Sequence, residues 1–272
     1  HAAFIRPQPP SLTGEMGMAV VKPEFRSHGL LNRMTDYLLK EIRSESVIGV
    51  YGRAVTNHTF SQQVGMRMGM RDCALQLAFV PADVTFRGIT EKLLHRDTAI
   101  VHFMYVHPPS RGQLCIPAHH RDMVLRLYEN IGASWELEEH DGSRASCEQD
   151  DSSVRTGTYT RMAFAHIDVM RYGRDVIREV KARLREFCLN RFEVIHLYLN
   201  LHDPCTCVFT SAFEELGFFF SGILPGVFPG DALILQYLNN VDVDYDGLRI
   251  HAQGGKDLRD YVKKLDPNGP GR

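Results

Sequence analysis

One order of elements occurs twice along the chain, and this repeat restricts the fold more than any other feature of the sequence. Each copy has the pattern of a long helix, a strand, a short helix that ends in glycine, and another strand. In the first half these elements are predicted at 29–46, 47–56, 58–70 and 73–81. In the second half they are predicted at 175–190, 192–201, 207–217 and 231–239. Identity between the copies is slight, so the order of elements is the evidence, and we predict a tandem duplication of one α/β unit.

The segments around the first copy complete a mixed α/β pattern. Strand-length apolar runs lie at 14–23 and 98–106, which gives the order β-α-β-α-β-β and predicts that the first two sheet neighbours run parallel across the helix. Two prolines and a glycine at 107–113 indicate a linker. We therefore divide the chain into domains 1–108 and 109–272. Because the chain begins with His1 in a strand-like stretch, we expect the first domain to lack elements that lie upstream.

Two further segments complete the predicted second domain. Apolar residues at helical spacing indicate a helix over 119–132 that ends at a glycine. Residues 138–157 are polar and contain no aromatic residue, so they are predicted to form a solvent-exposed loop that includes the acidic run Glu148-Gln149-Asp150-Asp151. We interpret this run as a solvated loop and not as a metal site.

Composition excludes several classes of protein. The 31 Lys and Arg residues nearly balance the 33 Asp and Glu residues, for a net charge of -2, so no basic field favours nucleic acid or a membrane surface as a partner. No apolar stretch reaches the roughly 18–20 residues of a membrane helix, and no signal-peptide pattern begins the chain. The six cysteines include no CxxC pair. Reduced thiols are favoured over a metal site at Cys205-x-Cys207, and a cytoplasmic location is expected.

The stretch at 19–32 joins a strand to a helix through Lys22-Pro23 and Arg-Ser-His-Gly. Backbone N–H groups at a helix start have no intrahelical partner, and the helix dipole adds positive potential there, so the place suits a phosphate or pyrophosphate. Gly29 allows close backbone approach to a ligand, and Arg26 supplies charge. An ordinary strand-to-helix turn with a surface arginine explains the spacing equally well.

These residues carry a resemblance to a known family. Val21-Lys22-Pro23 matches a strand ending V-x-P, and Arg26 and Gly29 match the first part of an R/Q-x-x-G-x-G/A loop at a helix start. Met68-Gly69-Met70 matches a later helix ending L-G-F. Residues 1 to about 106 thus resemble the GNAT superfamily of acyl-CoA-dependent N-acyltransferases. The second half resembles the same fold through AFEELGFFFSGILP but lacks the loop motif.

The resemblance implies direct transfer of an acyl group from acetyl-CoA, or another acyl-CoA, to an amine, without a metal. The acceptor would be an amine of a small molecule or of a protein, and a homo-oligomer is possible. Leu31 departs from the family pattern, because it occupies the second glycine or alanine position of the loop. The resemblance places the cofactor against Ala19, Val20, Val21, Arg26, Ser27, His28, Gly29, Leu30, Leu31 and Asn32.

The resemblance also indicates candidate catalytic residues. Many members use a strand carboxylate, acting through water, as the general base; Glu15 is the one carboxylate in the strand before Pro23. The resemblance aligns the family's tyrosine acid with Gly65, and His58 or Ser61 could substitute for it. A solvated strand-end position for Glu15, and capping or packing roles for His58 and Ser61, remain open alternatives.

His119 and His120 are adjacent at a helix start, and we expect capping or surface roles for them, since neighbours one residue apart do not share a helix face. Three functions remain for the whole chain. It is an acyltransferase, a non-catalytic sensor of acyl-CoA permitted by Gly65 and Leu31, or a scaffold that serves association alone.

Overall fold

A computed structural model of the chain describes residues 1–6, 11–84, 95–107, 113–133, 149–228 and 230–269. The strands are β1 (Ala3–Ile5), β2 (Thr13–Gly17), β3 (Gly49–Val55), β4 (Arg71–Val80), β5 (Asp97–Tyr105), β6 (Ser153–Tyr159), β7 (Phe164–Arg171), β8 (Val194–Asn200), β9 (Phe219–Leu224) and β10 (Ala232–Leu238). The α-helices are α1 (Leu30–Ile42), α2 (Phe60–Arg67), α3 (Arg121–Asn130), α4 (Val176–Leu189), α5 (Cys205–Glu214) and α6 (Gln253–Leu265).

The ten strands form one mixed sheet in the order β1-β2-β3-β5-β4-β9-β10-β8-β7-β6. β2 runs parallel to β3 across α1, and β7 runs parallel to β8 across α4. The remaining pairs are antiparallel. The predicted α/β class is therefore confirmed, and so is the parallel arrangement of the strands on either side of the first long helix.

The pairing pattern of the first five strands recurs in the last five. The order β1-β2-β3-β5-β4 corresponds to β6-β7-β8-β10-β9, with the same parallel and antiparallel relations. β4 and β9 join the halves, with Ala74 opposite Gly222. One detail of the predicted correspondence is wrong. The strand at 231–239 matches β5 and not β4, because β9 is the strand that directly follows the glycine-terminated helix.

The two short helices end in the same way. Gly69 follows α2 with φ 95°, and Gly217 follows α5 with φ 97°. A left-handed residue just after a helix is readily adopted by glycine, which has no Cβ to clash. These glycines correspond to the Met-Gly-Met and Leu-Gly-Phe endings noted in the sequence, and they direct the chain into β4 and β9.

The helices pack on the face of the sheet that carries Val50, His102 and Phe220. α1 contributes to the apolar cluster around Val50, and a Cβ at Gly65 of α2 would lie 3.6 Å from the His102 ring. α3 and α6 cross the centre of the molecule, where both contact β4 and β9. Phe220 packs edge-on against Tyr261 of α6. α5 contacts α4, and the last residue of α5 contacts the start of α3.

Several sequence predictions differ from the structure. The strand predicted at 14–23 ends at Gly17, and the chain turns at Pro23 in a short 3-10 helix. The loop predicted at 138–157 includes part of β6, whose successive residues pair with β7. Residues 138–148 of that loop, and residues 108–112 of the predicted linker, lie outside the described residues. The C-terminal helix α6 had no counterpart among the predictions.

The cysteines also differ from the expected set of reduced thiols. Cys115 and Cys207 form a disulfide with their Cα atoms 5.8 Å apart. This bond fastens the segment before α3 to the first turn of α5. Within the described residues, no helix has the combination of length and apolar character that crossing a membrane requires.

Candidate functional site

The parallel pair β2–β3 separates along its length. Pairing extends only from Thr13 opposite Gly49 to Glu15 opposite Tyr51, whereas β3 continues to Val55. After β2 the backbone forms hydrogen bonds with the N-terminal residue and not with β3. The N–H of Val20 donates to the carbonyl of His1 at 2.7 Å, and the carbonyl of Val20 accepts from the His1 amine at 2.9 Å. Between residues 18–22 and the end of β3, the sheet therefore has a gap.

The equivalent pair in the second half stays closed. β7 pairs with β8 at six successive positions, from Phe164 opposite Val194 to Val169 opposite Leu199. Among the described strands of the second half, no gap corresponds to the one between β2 and β3. A gap between parallel strands leaves backbone N–H and C=O groups that no neighbouring strand occupies, so these groups are available to a ligand. The Ala19 backbone has no hydrogen-bond partner in the described part of the chain.

The start of α1 follows this gap in the chain. Gly29 caps the helix with φ 68°, and a Cβ built on it meets no atom within 4 Å. The first intrahelical bond runs from Arg33 N–H to the Gly29 carbonyl at 3.1 Å. The N–H groups of residues 30–32 consequently have no partner within the described residues, and they present positive potential to solvent. An anion of phosphate type fits such a helix end.

The turn before α1 is held by its own polar groups. Arg26 donates from Nε to the Val21 carbonyl at 3.2 Å, and the His28 ring lies with Nδ1 2.7 Å from the Arg26 carbonyl. Ser27 has φ 64°. The predicted cofactor residues Ala19–Val21 and Arg26–Asn32 thus belong to one stretch of chain, 19–32, that passes from the gap to the helix start. Most of these residues are exposed. Leu31 is half-buried.

Glu15 lies at the closed end of the gap. Its Oε2 forms an ion pair with Nη1 of Arg53, whose Nε donates to Gln76 Oε1 at 2.8 Å. The guanidinium also lies 5.2 Å from the ring centre of Tyr51 and 5.1 Å from that of Phe79. Burial alone would lower the pKa of Arg53, but the charge of Glu15 more than offsets this effect and the pKa is raised. The reading of Glu15 as a solvated strand-end residue is therefore wrong.

Residues of the second half complete this region, which we call the central polar cluster. Burial raises the pKa of Tyr198, whose hydroxyl is hydrogen-bonded to Arg53. Burial has the opposite effect on a base and lowers the pKa of His196. Neither ring nitrogen of His196 has a hydrogen-bond partner within the described residues. Burial lowers the pKa of His166 against the opposing effect of Asp168. The cluster comprises Glu15, Tyr51, Arg53, Gln76, His166, Asp168, His196 and Tyr198.

The other two predicted catalytic residues lie elsewhere, at the turn after β3. Burial lowers the pKa of His58, and its ring is 5.2 Å from Phe60. The Ser61 hydroxyl is buried, with no hydrogen-bond partner in the described part of the chain. The gap opens toward this turn, since β3 leads into it. The structure gives neither residue a contact with Glu15, so the three predicted residues do not form one described cluster.

Gly65 has an inward position. A Cβ there would contact the ring of His102 at 3.6 Å, so the residue faces the packed layer between α2 and the sheet. His102 Nδ1 in turn lies 2.8 Å from Oδ1 of Asp72, with both side chains buried. Gly65 therefore packs against β5.

His119 and His120 converge, contrary to the sequence expectation. Nε2 of His119 lies 2.8 Å from Oε2 of Glu214, and Nε2 of His120 lies 2.6 Å from Oε1 of the same carboxylate. Burial raises the pKa of Glu214, but its hydrogen bonds to the two histidines outweigh burial and lower it to about 2. The sequence could not reveal this cluster, because Glu214 follows 94 residues after His120 and belongs to another helix.

Arg53 was also missed by the sequence analysis. The one signal in the sequence was that Arg53 is the single charged residue in the apolar run at 47–56. Because side chains alternate along a strand, Arg53 lies on the same face of the sheet as Tyr51. A charged residue inside a buried strand requires a partner, and that requirement would have directed attention to Glu15 as its counter-ion.

No protein-family model matches the sequence, and no curated protein matches it. Solved structures give weak likenesses to acetyltransferases. The ribosomal-protein-S18-alanine N-acetyltransferase of Escherichia coli aligns at 13% identity and a TM-score of 0.32, over 40% of this chain and 62% of its own. A protein of Desulfovibrio desulfuricans assigned to the GNAT family aligns at 15% identity and a TM-score of 0.29, over 39% of this chain and 59% of its own.

A third structure, assigned as an acetyltransferase of Thermoplasma acidophilum, aligns over 87% of this chain and 74% of its own, at 12% identity and a TM-score of 0.30. The chain spans about three fifths of the length of the first two structures. TM-scores of 0.29 to 0.32 do not by themselves establish a common fold.

Proposed function

We propose that the chain is an acyl-CoA-dependent N-acyltransferase of GNAT type. The observation that carries this proposal is the gap between β2 and β3, which continues through an exposed turn to a glycine-capped helix start. A gap with free backbone groups suits the amide-bearing arm of CoA, and the helix start suits its pyrophosphate. Acetyl-CoA is the proposed donor, and an amine of a small molecule or a protein is the proposed acceptor.

In this arrangement the thioester lies near the closed end of the gap, beside Glu15. The acceptor amine loses a proton, attacks the thioester carbonyl, and the CoA thiolate leaves and takes up a proton. Glu15 engages Arg53 through Oε2, which leaves Oε1 to accept a proton by way of a water molecule. Backbone N–H groups of β3 beyond Tyr51 would polarise the carbonyl. His58 and Ser61, at the open end of the gap, are proposed to assist protonation of the thiolate.

We further propose that the halves are tandem copies with a single cofactor site. The repeated strand order supports the division into 1–108 and 109–272. The closed β7–β8 pair and the missing loop motif support a second half that binds no CoA. Tyr198, His196 and His166 would instead shape the acceptor side of the central polar cluster. We propose a cytoplasmic protein without a nucleic-acid or membrane partner, in which the Cys115–Cys207 disulfide would have to persist against reduction. Association with a second copy is compatible with this function.

A second candidate is a non-catalytic sensor that binds acyl-CoA without turnover. The inward-facing Gly65 favours it, because no tyrosine hydroxyl reaches the departing thiolate from α2. Loss of one general acid costs about 100- to 10,000-fold in rate. Solvent can still protonate a thiolate, so we favour slow catalysis over sensing.

Binding is tested by replacing Gly29. Gly29→Asp adds a carboxylate to the helix start where the pyrophosphate is proposed to lie, and we expect calorimetry to show no binding of acetyl-CoA. Gly132→Asp is the matched control, because Gly132 also has a positive φ, 79°, and open space around a built Cβ, but at the end of α3. Acetyl-CoA affinity unchanged by Gly29→Asp would contradict the proposed cofactor site.

Turnover is tested by the release of free thiol from acetyl-CoA in the presence of a panel of amines. Thiol release that depends on an amine supports the enzyme. Binding of acetyl-CoA with no thiol release for any amine supports the sensor. Absence of binding leaves the scaffold as the remaining function.

A further inference from the structure

The cluster formed by His119, His120 and Glu214 lies outside the proposed acyl-transfer site, on the helix layer. It joins the start of α3 to the last residue of α5. One ligand atom from each of the three side chains lies within 4.8 Å of the others. We propose that this cluster binds a divalent transition-metal ion, with zinc as the representative ion.

The donor set has the chemistry of a zinc site. Two imidazole nitrogens and one carboxylate oxygen are among the usual zinc ligands, and three protein ligands leave a fourth position for water. A tetrahedral ion with bonds of about 2.1 Å holds its ligand atoms about 3.4 Å apart. The present nitrogen–oxygen separations of 2.6 Å and 2.8 Å must lengthen by less than about 1 Å. The three ligand atoms lie within 4.8 Å of one another, so the widest separation must shorten by at most about 1.4 Å. Both changes are small enough for side-chain rotation.

Tyr261 orients His120 for this role. The Tyr261 hydroxyl donates to the His119 carbonyl at 3.0 Å, and its oxygen lies 2.7 Å from Nδ1 of His120. A hydroxyl has one hydrogen, so when it donates to the carbonyl it accepts from His120 Nδ1–H. In that tautomer Nε2 of His120 carries a lone pair. A hydrogen bond to the second ring nitrogen is the usual way in which proteins fix a metal-binding histidine.

That tautomer places an acceptor against an acceptor. The Nε2 lone pair of His120 and Oε1 of Glu214 are 2.6 Å apart, and a cation between them is required for attraction. One divalent ion satisfies both nitrogens and the carboxylate together.

The site is rigid on one side and open on the other. The centre of the His120 ring lies 4.7 Å from that of Phe220 in β9, and Tyr261 packs edge-on against the Phe220 ring. The His119 side chain is 43% exposed, so an ion has a path from solvent. A bound ion would join the start of α3 to the end of α5 near the centre of the molecule, where α3 and α6 cover the junction of β4 and β9. The metal therefore has a structural role that is independent of acyl transfer.

The test is calorimetric titration of the full chain with zinc chloride, after EDTA treatment and dialysis. We expect one zinc ion per chain and a rise in the thermal midpoint. His119→Gln removes a ligand at a partly exposed position, where folding is least disturbed, and should abolish binding. Tyr261→Phe should weaken it by about 10- to 100-fold, as loss of an orienting partner does. His107→Gln, an exposed histidine outside the cluster, is the matched control and should bind as the parent does.

Two results would overturn the proposal. One is failure of the parent chain to bind zinc. The other is zinc binding that persists unchanged in both His119→Gln and Glu214→Gln, which would place the ion elsewhere, for example on cysteines. Replacement of zinc by cobalt gives a further readout, since a four-coordinate cobalt ion in this nitrogen and oxygen set has strong visible absorption and His119→Gln should remove it.

Discussion

Glu15 has two possible contributions, as a general base and as the counter-ion of Arg53, and one substitution separates them. Glu15→Gln preserves shape and removes the charge. Removal of one partner from a fully buried ion pair costs about 3–5 kcal/mol, whereas exposed pairs contribute about 0–1 kcal/mol. The side chains of Arg53 and Glu15 are 18% and 23% exposed. We therefore expect the free energy of unfolding to fall by about 2 kcal/mol, an intermediate value.

The assay is urea denaturation followed by circular dichroism. With a urea dependence of about 2 kcal/mol per molar, the midpoint should fall by about 1 M. Glu45→Gln is the matched control, because Glu45 pairs with Arg6 at 3.3 Å and both side chains are about half exposed, at 51% and 46%. Its midpoint should change by less than about 0.3 M.

A double substitution completes the argument. In an Arg53→Met background the ion pair is already absent, so Glu15→Gln should cost less than about 0.5 kcal/mol. A loss for Glu15→Gln in the parent chain as small as that for Glu45→Gln would refute the counter-ion role. Stability and turnover are read separately. A destabilised variant that still transfers acyl groups at the parental rate would show that Glu15 is a counter-ion and not the base.

Three further predictions follow from the same structure. Calorimetry with acetyl-CoA should give one site per chain, since the gap occurs in the first half; two equal sites would contradict the closed state of β7–β8. Gly222→Ala should lower the free energy of unfolding by at least about 3 kcal/mol and lower the thermal midpoint accordingly, because φ is 141° and a Cβ would lie 2.4 Å from Ala74 Cα. A midpoint equal to that of the parent chain would show that the strands can separate there. Tyr128→Phe should cost about 1.5–3 kcal/mol in urea denaturation, because the Tyr128 hydroxyl donates to buried Asp231 at 2.7 Å; a change below that of Glu45→Gln would contradict this.

Local signals were sufficient to predict most of the helices and strands. Apolar periodicity identified α1, α3 and α4 to within a few residues, and glycine located the ends of α2 and α5. Periodicity could not show that the strand at 14–23 stops at Gly17, because its apolar residues continue after its pairing with β3 has ended. Strand pairing depends on two segments, and the local sequence of one segment does not show where its pairing with the other ends.

The candidate site was predictable only where its residues are close in sequence. The turn at 26–32 belongs to one segment, so its spacing alone indicated a helix start with open backbone groups. Arg53 and Glu15, by contrast, meet across two strands that are 38 residues apart in sequence. His120 and Glu214 meet across 94 residues. Such contacts depend on the sheet order, and β4 beside β9 could not be anticipated from either half alone.

The junction of β4 and β9 has a practical consequence for anyone who would take the protein apart. Each of these strands covers an edge that the other half would otherwise expose, and Ala74 and Gly222 meet at the centre of the junction. A strand edge without its neighbour is a template for aggregation. Expression of either half alone should therefore give insoluble or misassembled material, so that the contribution of each half must be measured by substitutions within the intact chain.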